Sequence, residues 1–352
     1  MPGLIAVVLI LVPVAILFGQ SWNGTAERMD TVDRERKGVE YAIALGELTR
    51  VMAEAQSAAL HRTPSLDPVD GAVAAVDGVD ARLGADLGTT ARWTDARVKI
   101  QALGGVSGTM SEVYDAYAAV TDLLLALHAE VRDNARLSRD PAGDTFHLQE
   151  AGAAELPALI VGTGRLADLA GMAVGASAAD RTALLGRVLA TRTLVDDDVA
   201  GLTDNLQASL DETESDTLST KLLIGLNRFR QGVDKLYAVV DLSATESAVA
   251  AQISPVRTEA QRAQADLMST VLTELDTLLR DRGGELGARR IIAVLMLIMA
   301  VLIAAAPFAL IALLRRRTPE PARLEPMPRH AEETPAGEDV WSPRRRRAGA
   351  TR

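Results

Sequence analysis

The chain contains no cysteine and only four histidines among 352 residues. The first absence excludes disulfides, thiolate metal sites and a cysteine nucleophile. The histidines are His61, His128, His147 and His330, and no two stand at a metal-ligand spacing such as HxxxH. The GxGxxG, GxxxxGK[ST] and GxSxG patterns are absent too. Without a nucleophile, metal or acid–base constellation, neither an enzyme nor a cofactor is expected. Aromatic residues are scarce at 3%, while 48% of the chain is hydrophobic and Ala and Leu dominate. That balance suits long helices better than β-sandwiches, and the length suits one or two domains.

Charge is missing altogether from Ile291 to Leu314, a run of 24 residues. A helix of that length exceeds the roughly 30 Å hydrocarbon core of a bilayer and can span it with some tilt. Arg289 and Arg290 precede the run, and Arg315, Arg316 and Arg317 follow it. From residue 315 onward there are ten arginines, among them Arg344, Arg345, Arg346 and Arg347, against six acids. By the positive-inside rule this tail is cytoplasmic. Its Pro, Glu and Arg content predicts disorder. Arg344 to Arg347 suit an anionic lipid surface, at about 1 kcal/mol per residue. A short docking motif for a cytoplasmic partner is the alternative.

Leu4 to Phe18 is a second apolar run, interrupted by Pro13. A cleaved signal peptide wants a basic start and a small-x-small site. Met1-Pro2-Gly3 and Phe18-Gly19-Gln20 supply neither, so an uncleaved anchor is expected, with Trp22 at the outer interface. The missing basic flank also allows a start codon further upstream. The resulting partition is a first membrane helix at 1–19, an outer domain at 20–290, a second membrane helix at 291–314 and a tail at 315–352. The tail is +4 in a total of −10, which leaves −14 on residues 20–290. Such a domain has no basic face for nucleic acid.

Within the outer domain apolar residues recur at alternating spacings of four and three. Tyr41, Leu45, Leu48, Met52, Ala55 and Ala59 form one seam, and Val113, Tyr117, Val120, Leu124, Leu127 and Val131 another. Leu222, Leu226, Phe229, Val233, Leu236 and Val240 form a third, and Met268, Val271, Leu275 and Leu278 a fourth. This period marks left-handed helix packing, and no period-2 pattern predicts a sheet. The fold class is therefore all-α, a long antiparallel helical bundle. Breaks at Thr63-Pro64-Ser65, Gly104-Gly105, Asp140-Pro141, Ala176-Ser177 and Ser254-Pro255, with another near Asp211 to Ser215, divide it. The predicted helices are 4–62, 66–103, 107–138, 141–175, 178–209, 214–248 and 255–316.

The turn Asp140-Pro141-Ala142-Gly143-Asp144-Thr145-Phe146-His147-Leu148-Gln149-Glu150 is explained by caps alone: Asp140 and Asp144 can cap, and Pro141 can begin a helix. It also resembles a segment of the extracytoplasmic sensor domains of bacterial chemoreceptors, where the usual pattern is Asp-Pro-Asp-x-Asp-Ser-Tyr-Tyr-Leu-Met-Asp followed by a Leu-Pro such as Leu156-Pro157. Glu35-Arg36-Lys37-Gly38-Val39-Glu40-Tyr41 resembles the opening of their first periplasmic helix. The resemblance spans roughly residues 4 to 314. It implies two stacked four-helix modules of the bimodular kind, standing between two membrane helices in a bacterial plasma membrane with both termini cytoplasmic. It also implies a homodimer. Ala142, Phe146, His147 and Gln149 depart from the pattern, so ligand specificity is not inherited. The 38 residues after the second membrane helix leave the expectation that a separate signalling protein receives the output.

Candidate ligand residues follow. Arg192 falls in the seam of Leu185, Val188, Val195, Val199, Leu202 and Leu206. A buried cation there would suit a small organic acid; otherwise Arg192 snorkels at the seam edge or pairs with an acid. Asp80 interrupts the seam of Val69, Val73, Val76, Leu83 and Leu87 and is a possible mate for Arg192, unless Val79 takes that slot. Tyr41 and His147 complete the set. Asp196-Asp197-Asp198 does not converge on one cation, so no metal site is expected. The function read from this is a two-pass sensor for a small acidic solute; the alternative is a structural or interaction scaffold of the envelope without a small ligand.

Overall fold

The described residues form helices α1 (Pro2–Leu60), α2 (Asp67–Leu87), α3 (Thr90–Ala102), α4 (Met110–Asn134), α5 (Gly143–Glu150), α6 (Leu156–Ala173), α7 (Ala178–Glu212), α8 (Asp216–Val239) and α9 (Glu246–Arg316). The structure, a computed structural model, describes residues 2–63, 66–138, 143–213, 216–241 and 246–316, and no strand occurs among them. The fold is an all-α helical bundle. Residues 1–299 form one compact unit, and residues 300–352 a second. Asp140, Pro141, Arg317 and Arg344 to Arg347 lie outside the described residues. Of Asp144, Arg315 and Arg316 only the helical backbone is described.

Local chemistry sets the helix ends. Thr109 and Glu112 form a capping box at the start of α4, with the Thr109 N–H donating to Glu112 Oε2 at 2.8 Å. Ser177 caps α7 by accepting from the Asp180 N–H at 3.3 Å. Gly88 adopts φ +68°, a left-handed conformation that ends α2. The single helix expected over 66–103 is therefore two. The helix expected over 141–175 is also divided. A π-helical turn, Ala151–Glu155, separates α5 from α6, and the Leu156 N–H bonds back to the Ala151 carbonyl. Pro157 follows at once and has no N–H with which to restore the tighter ladder.

The break expected at Ser254-Pro255 does not occur, because α9 runs through Pro255. A proline inside a helix costs roughly 3 kcal/mol or more. Packing on both sides offsets it: Val249, Ile253, Arg257 and Ala260 are all buried on this helix. Further along α9, a Cβ on Gly232 of α8 would lie 3.0 Å from the Ala260 Cα, so the two backbones meet closely there.

Most residues of the predicted seams are buried, with Ala59, Val113 and Leu278 half-buried, and the core they build falls into two clusters. The larger holds Leu45, Leu48, Met52, Leu124, Leu156, Phe229 and Val271 among others; the smaller gathers Leu60, Leu166, Leu169, Met172, Val188, Leu236 and Ile253. On α1, α6 and α9 alike the change between them falls at buried polar residues. These are Gln56 and Ser57, then Thr163, then Arg257, Gln261 and Gln264.

In α9 the side chains from Ile291 to Ile303 are largely exposed, including Leu295, Met296, Ile298, Met299 and Leu302. Among the described residues, one helix, α9, is long and apolar enough to cross a membrane by length and composition. Just before that segment the Arg290 guanidinium lies 4.6 Å over the Trp22 ring, and Trp22 stacks on Phe18.

Candidate ligand site in the bundle interior

Among the polar side chains described, four groupings bear on a ligand site, and they differ in how completely they are satisfied. The first joins two of the expected residues. Tyr41, fully buried on α1, donates to Asp80 Oδ1 at 3.0 Å. The Thr89 hydroxyl donates to the same oxygen at 2.9 Å. Gly84, one turn along α2, leaves the carboxylate its space, since a Cβ there would come within 2.3 Å of that oxygen. Burial raises the Tyr41 pKa; the Thr89 hydrogen bond opposes this and the Asp80 charge adds to it. Tyr41 therefore stays protonated as a donor. Both Val79 and Asp80 are buried: the carboxylate enters the core because two hydroxyls meet it.

Arg192 does not occupy a core position and is not the mate of Asp80. Its side chain is 35% exposed, with Nε 4.0 Å from Asp196 Oδ2 one turn away. Its guanidinium lies 4.7 Å over the Tyr237 ring. The seam passes through Leu184, Val188, Val195, Leu202 and Leu206 instead, with Leu185 only half-buried. A long side chain at the seam edge reaches water and an aromatic face without desolvating its charge.

His147 belongs to a third grouping, separate from Tyr41 and Asp80. Its Nδ1 donates to Asn205 Oδ1 at 2.9 Å, and Asn205 Nδ2 donates to Glu155 Oε1 at 2.7 Å. The π-turn aims Glu155 at α7, where Gly201 makes room: a Cβ there would lie 2.8 Å from Oε1. Burial pushes the Glu155 carboxyl up to about 7, the Asn205 hydrogen bond opposes this, and Glu150, Asp198 and Asp204 add to it.

The fourth grouping lines a cavity of about 110 Å³ between the end of α1, α6 and the start of α9. One water needs roughly 10–15 Å³ on this measure, so the space holds a ligand of several heavy atoms. Arg257 and Asp168 face it, 9% and 6% exposed, with Ser57, His61 and Ser254 beside them. Leu60, Met172, Val174 and Ile253 form its apolar wall. Gln56 Nε2 donates to Asp168 Oδ2 at 2.9 Å. Burial raises the Asp168 pKa, while the Arg257 charge and hydrogen bonds from Gln56 and Ser57 pull it back. Arg257 Nε and Nη1 have no hydrogen-bond partner. A buried guanidinium left in that state costs several kcal/mol. One turn further along α9, neither end of the buried Gln261 amide has a partner.

The sequence suggested a core cation at Arg192 on α7, whereas the buried one is Arg257 on α9, for which a signal existed. Stepping back from Met268 by four, three and four residues reaches Gln264, Gln261 and Arg257, all buried. The α9 seam thus continues as a polar stripe. Comparison with known proteins finds no matching family model, no matching curated protein and no matching solved structure.

Proposed function

We propose that this chain is a two-pass membrane protein whose helical bundle senses a small acidic solute. Arg257 is the ligand anchor in this reading. The observation that carries it is the orphaned, nine-tenths-buried guanidinium in a cavity shared with Asp168. Guanidinium binds carboxylate bidentately, and in a site drier than water that contact is strong. Arg257 also lies on the helix that carries the apolar segment. About 50 Å of uninterrupted α9 separates it from Ile291. A ligand that prefers one of two positions of α9 would move that segment.

The likeness of Asp140 to Glu150 and of Glu35 to Tyr41 to chemoreceptor sensor domains supports the same reading. So do the apolar runs that frame the bundle. In this frame Leu4 to Phe18 and Ile291 to Leu314 are the two spans, residues 20–290 are extracytoplasmic, and the bundle is a homodimer that passes its output to a separate signalling protein.

The test is thermal unfolding of the full chain in detergent micelles against organic acids, amino acids, nitrate and purines. A ligand that binds only the folded state stabilises it by about 2.7 kcal/mol at a hundredfold excess over its Kd. A rise in Tm that Arg257→Met abolishes supports solute sensing. A flat panel on a cooperatively unfolding chain moves the reading to an envelope scaffold.

A further inference from the structure

The cavity that holds Arg257 also holds a second buried charge of opposite sign, and the two are not joined. Arg257 projects from α9 and Asp168 from α6. Asp168 is held by Gln56, yet the Arg257 Nε and Nη1 atoms remain without a partner. A ligand with only a carboxylate would satisfy Arg257 and set its charge close to that of Asp168, which is unfavourable where solvent is excluded. An amine alone would suit Asp168 and leave the guanidinium orphaned. A molecule carrying both groups satisfies both walls. Beside these charges the lining carries Ser57, His61 and Ser254, and Leu60, Met172, Val174 and Ile253 form an apolar wall. The volume of about 110 Å³ matches roughly seven to eleven water-sized groups.

We infer that this cavity is a site for a zwitterionic α-amino acid with a small apolar side chain, its carboxylate on Arg257 and its ammonium on Asp168. The inference rests on the solute-sensing reading and narrows it. Ser57 and Ser254 supply hydroxyls beside the charged groups, and the apolar wall takes the side chain. The buried charges are then paired through the ligand.

The test compares three compounds on the full chain in detergent micelles by titration calorimetry: leucine, 4-methylpentanoate, which lacks the amine, and 3-methylbutylamine, which lacks the carboxylate. Valine and its two analogues form a second set. The expected result is binding of leucine or valine at least tenfold tighter than either partner compound. Asp168→Asn should erase the advantage of the amino acid over the acid, and Arg257→Met should abolish binding of both. Should Asp168→Asn not fold, the analogue comparison on the unaltered chain still decides. If the acid binds as tightly as the amino acid, or the amine binds best, the zwitterion assignment is wrong while solute sensing stands. If no compound in either set binds up to about 10 mM but another organic acid does, the assignment again falls alone. If nothing binds to a cooperatively folding chain, both fall.

Discussion

Asp80 and Asp168 are buried to the same degree, at 7% and 6% exposure, yet their surroundings are opposite. Asp80 receives two hydroxyl donors on one oxygen. Asp168 keeps donors from Gln56 and Ser57 but shares its cavity with a guanidinium that has unused N–H groups. The first arrangement is closed, so every group that lost water found a partner. The second is open, and its cost is recovered only when something else enters. Buried charge alone therefore does not separate framework from binding site. The separation comes from whether the neighbouring donors are used.

The largest effect expected from this contrast is at Asp80. Asp80→Ala strands the Tyr41 and Thr89 hydroxyls in the core, each at about 1–3 kcal/mol. The sum is a loss of about 2–6 kcal/mol in chemical denaturation of the full chain, with no ligand present. An unchanged midpoint would mean that this trio is not closed. Arg257→Met should act in the other direction. Replacing an unsatisfied buried cation with an apolar side chain of similar length is expected to raise ligand-free stability by about 1–3 kcal/mol. A loss of that size instead would show that Arg257 is already paired, and the distinction between the two carboxylates would collapse.

The sequence made one side of the contrast easier to read than the other. The spacings of four and three located the seams of α1, α4, α8 and α9, because a helix buries one face whatever it packs against. They also put Tyr41 in one apolar seam and singled out Asp80 as a polar interruption of another. That the two meet depends on how α1 lies against α2, which no local spacing encodes. Arg257 was hidden for two reasons. Pro255 read as a helix start, so the residues after it looked like a first turn. A run of Arg, Gln and Gln also ends an apolar pattern even when the seam continues underneath. The π-turn that aims Glu155 has no local signature beyond Pro157, and the helix predicted over 66–103 ran through Gly88, whose left-handed backbone ends α2. Arg192 held a core slot by counting, but its length let it reach the edge and pack on Tyr237.

Two further groups, buried His128 and half-buried Glu155, sharpen the comparison through pH. His128 is buried, donates from Nε2 to the Thr49 hydroxyl at 3.2 Å, and has its pKa pushed down to about 3 by desolvation. The unfolded chain binds a proton below about 6.5 that the folded chain refuses, so this group makes stability fall as pH drops from 6.5 toward 3. Glu155, raised to about 7, does the reverse. The unfolded carboxyl ionises near its ordinary value while the folded one stays protonated, so its contribution is lost as pH rises toward 7. Between about pH 4.5 and 6.5 the two slopes oppose, each at most about 1.4 kcal/mol per pH unit. Relative to the unaltered chain, Glu155→Gln should unfold with a steeper rise of stability with pH in that window. His128→Asn should show a shallower one. Parallel curves for both variants would mean that neither group titrates with folding.

The smallest effect belongs to Arg192, and its smallness is informative. Its guanidinium is partly exposed, 4.0 Å from Asp196, and rests on the Tyr237 ring. Exposed pairs of this kind contribute about 0–1 kcal/mol, and an exposed cation–π contact about 0.5–1. Arg192→Ala should therefore lower stability by no more than about 2 kcal/mol and leave the affinity for any ligand of the interior cavity unchanged. The measurement to set beside it is the same titration on Arg257→Met. Loss of binding in Arg257→Met but not in Arg192→Ala places the anchor on α9, where the cation is buried and its donors are free. The reverse result would put the ligand at the edge of α7 against Tyr237, and the orphaned atoms of Arg257 would then mark only the cost of a polar layer between two apolar clusters.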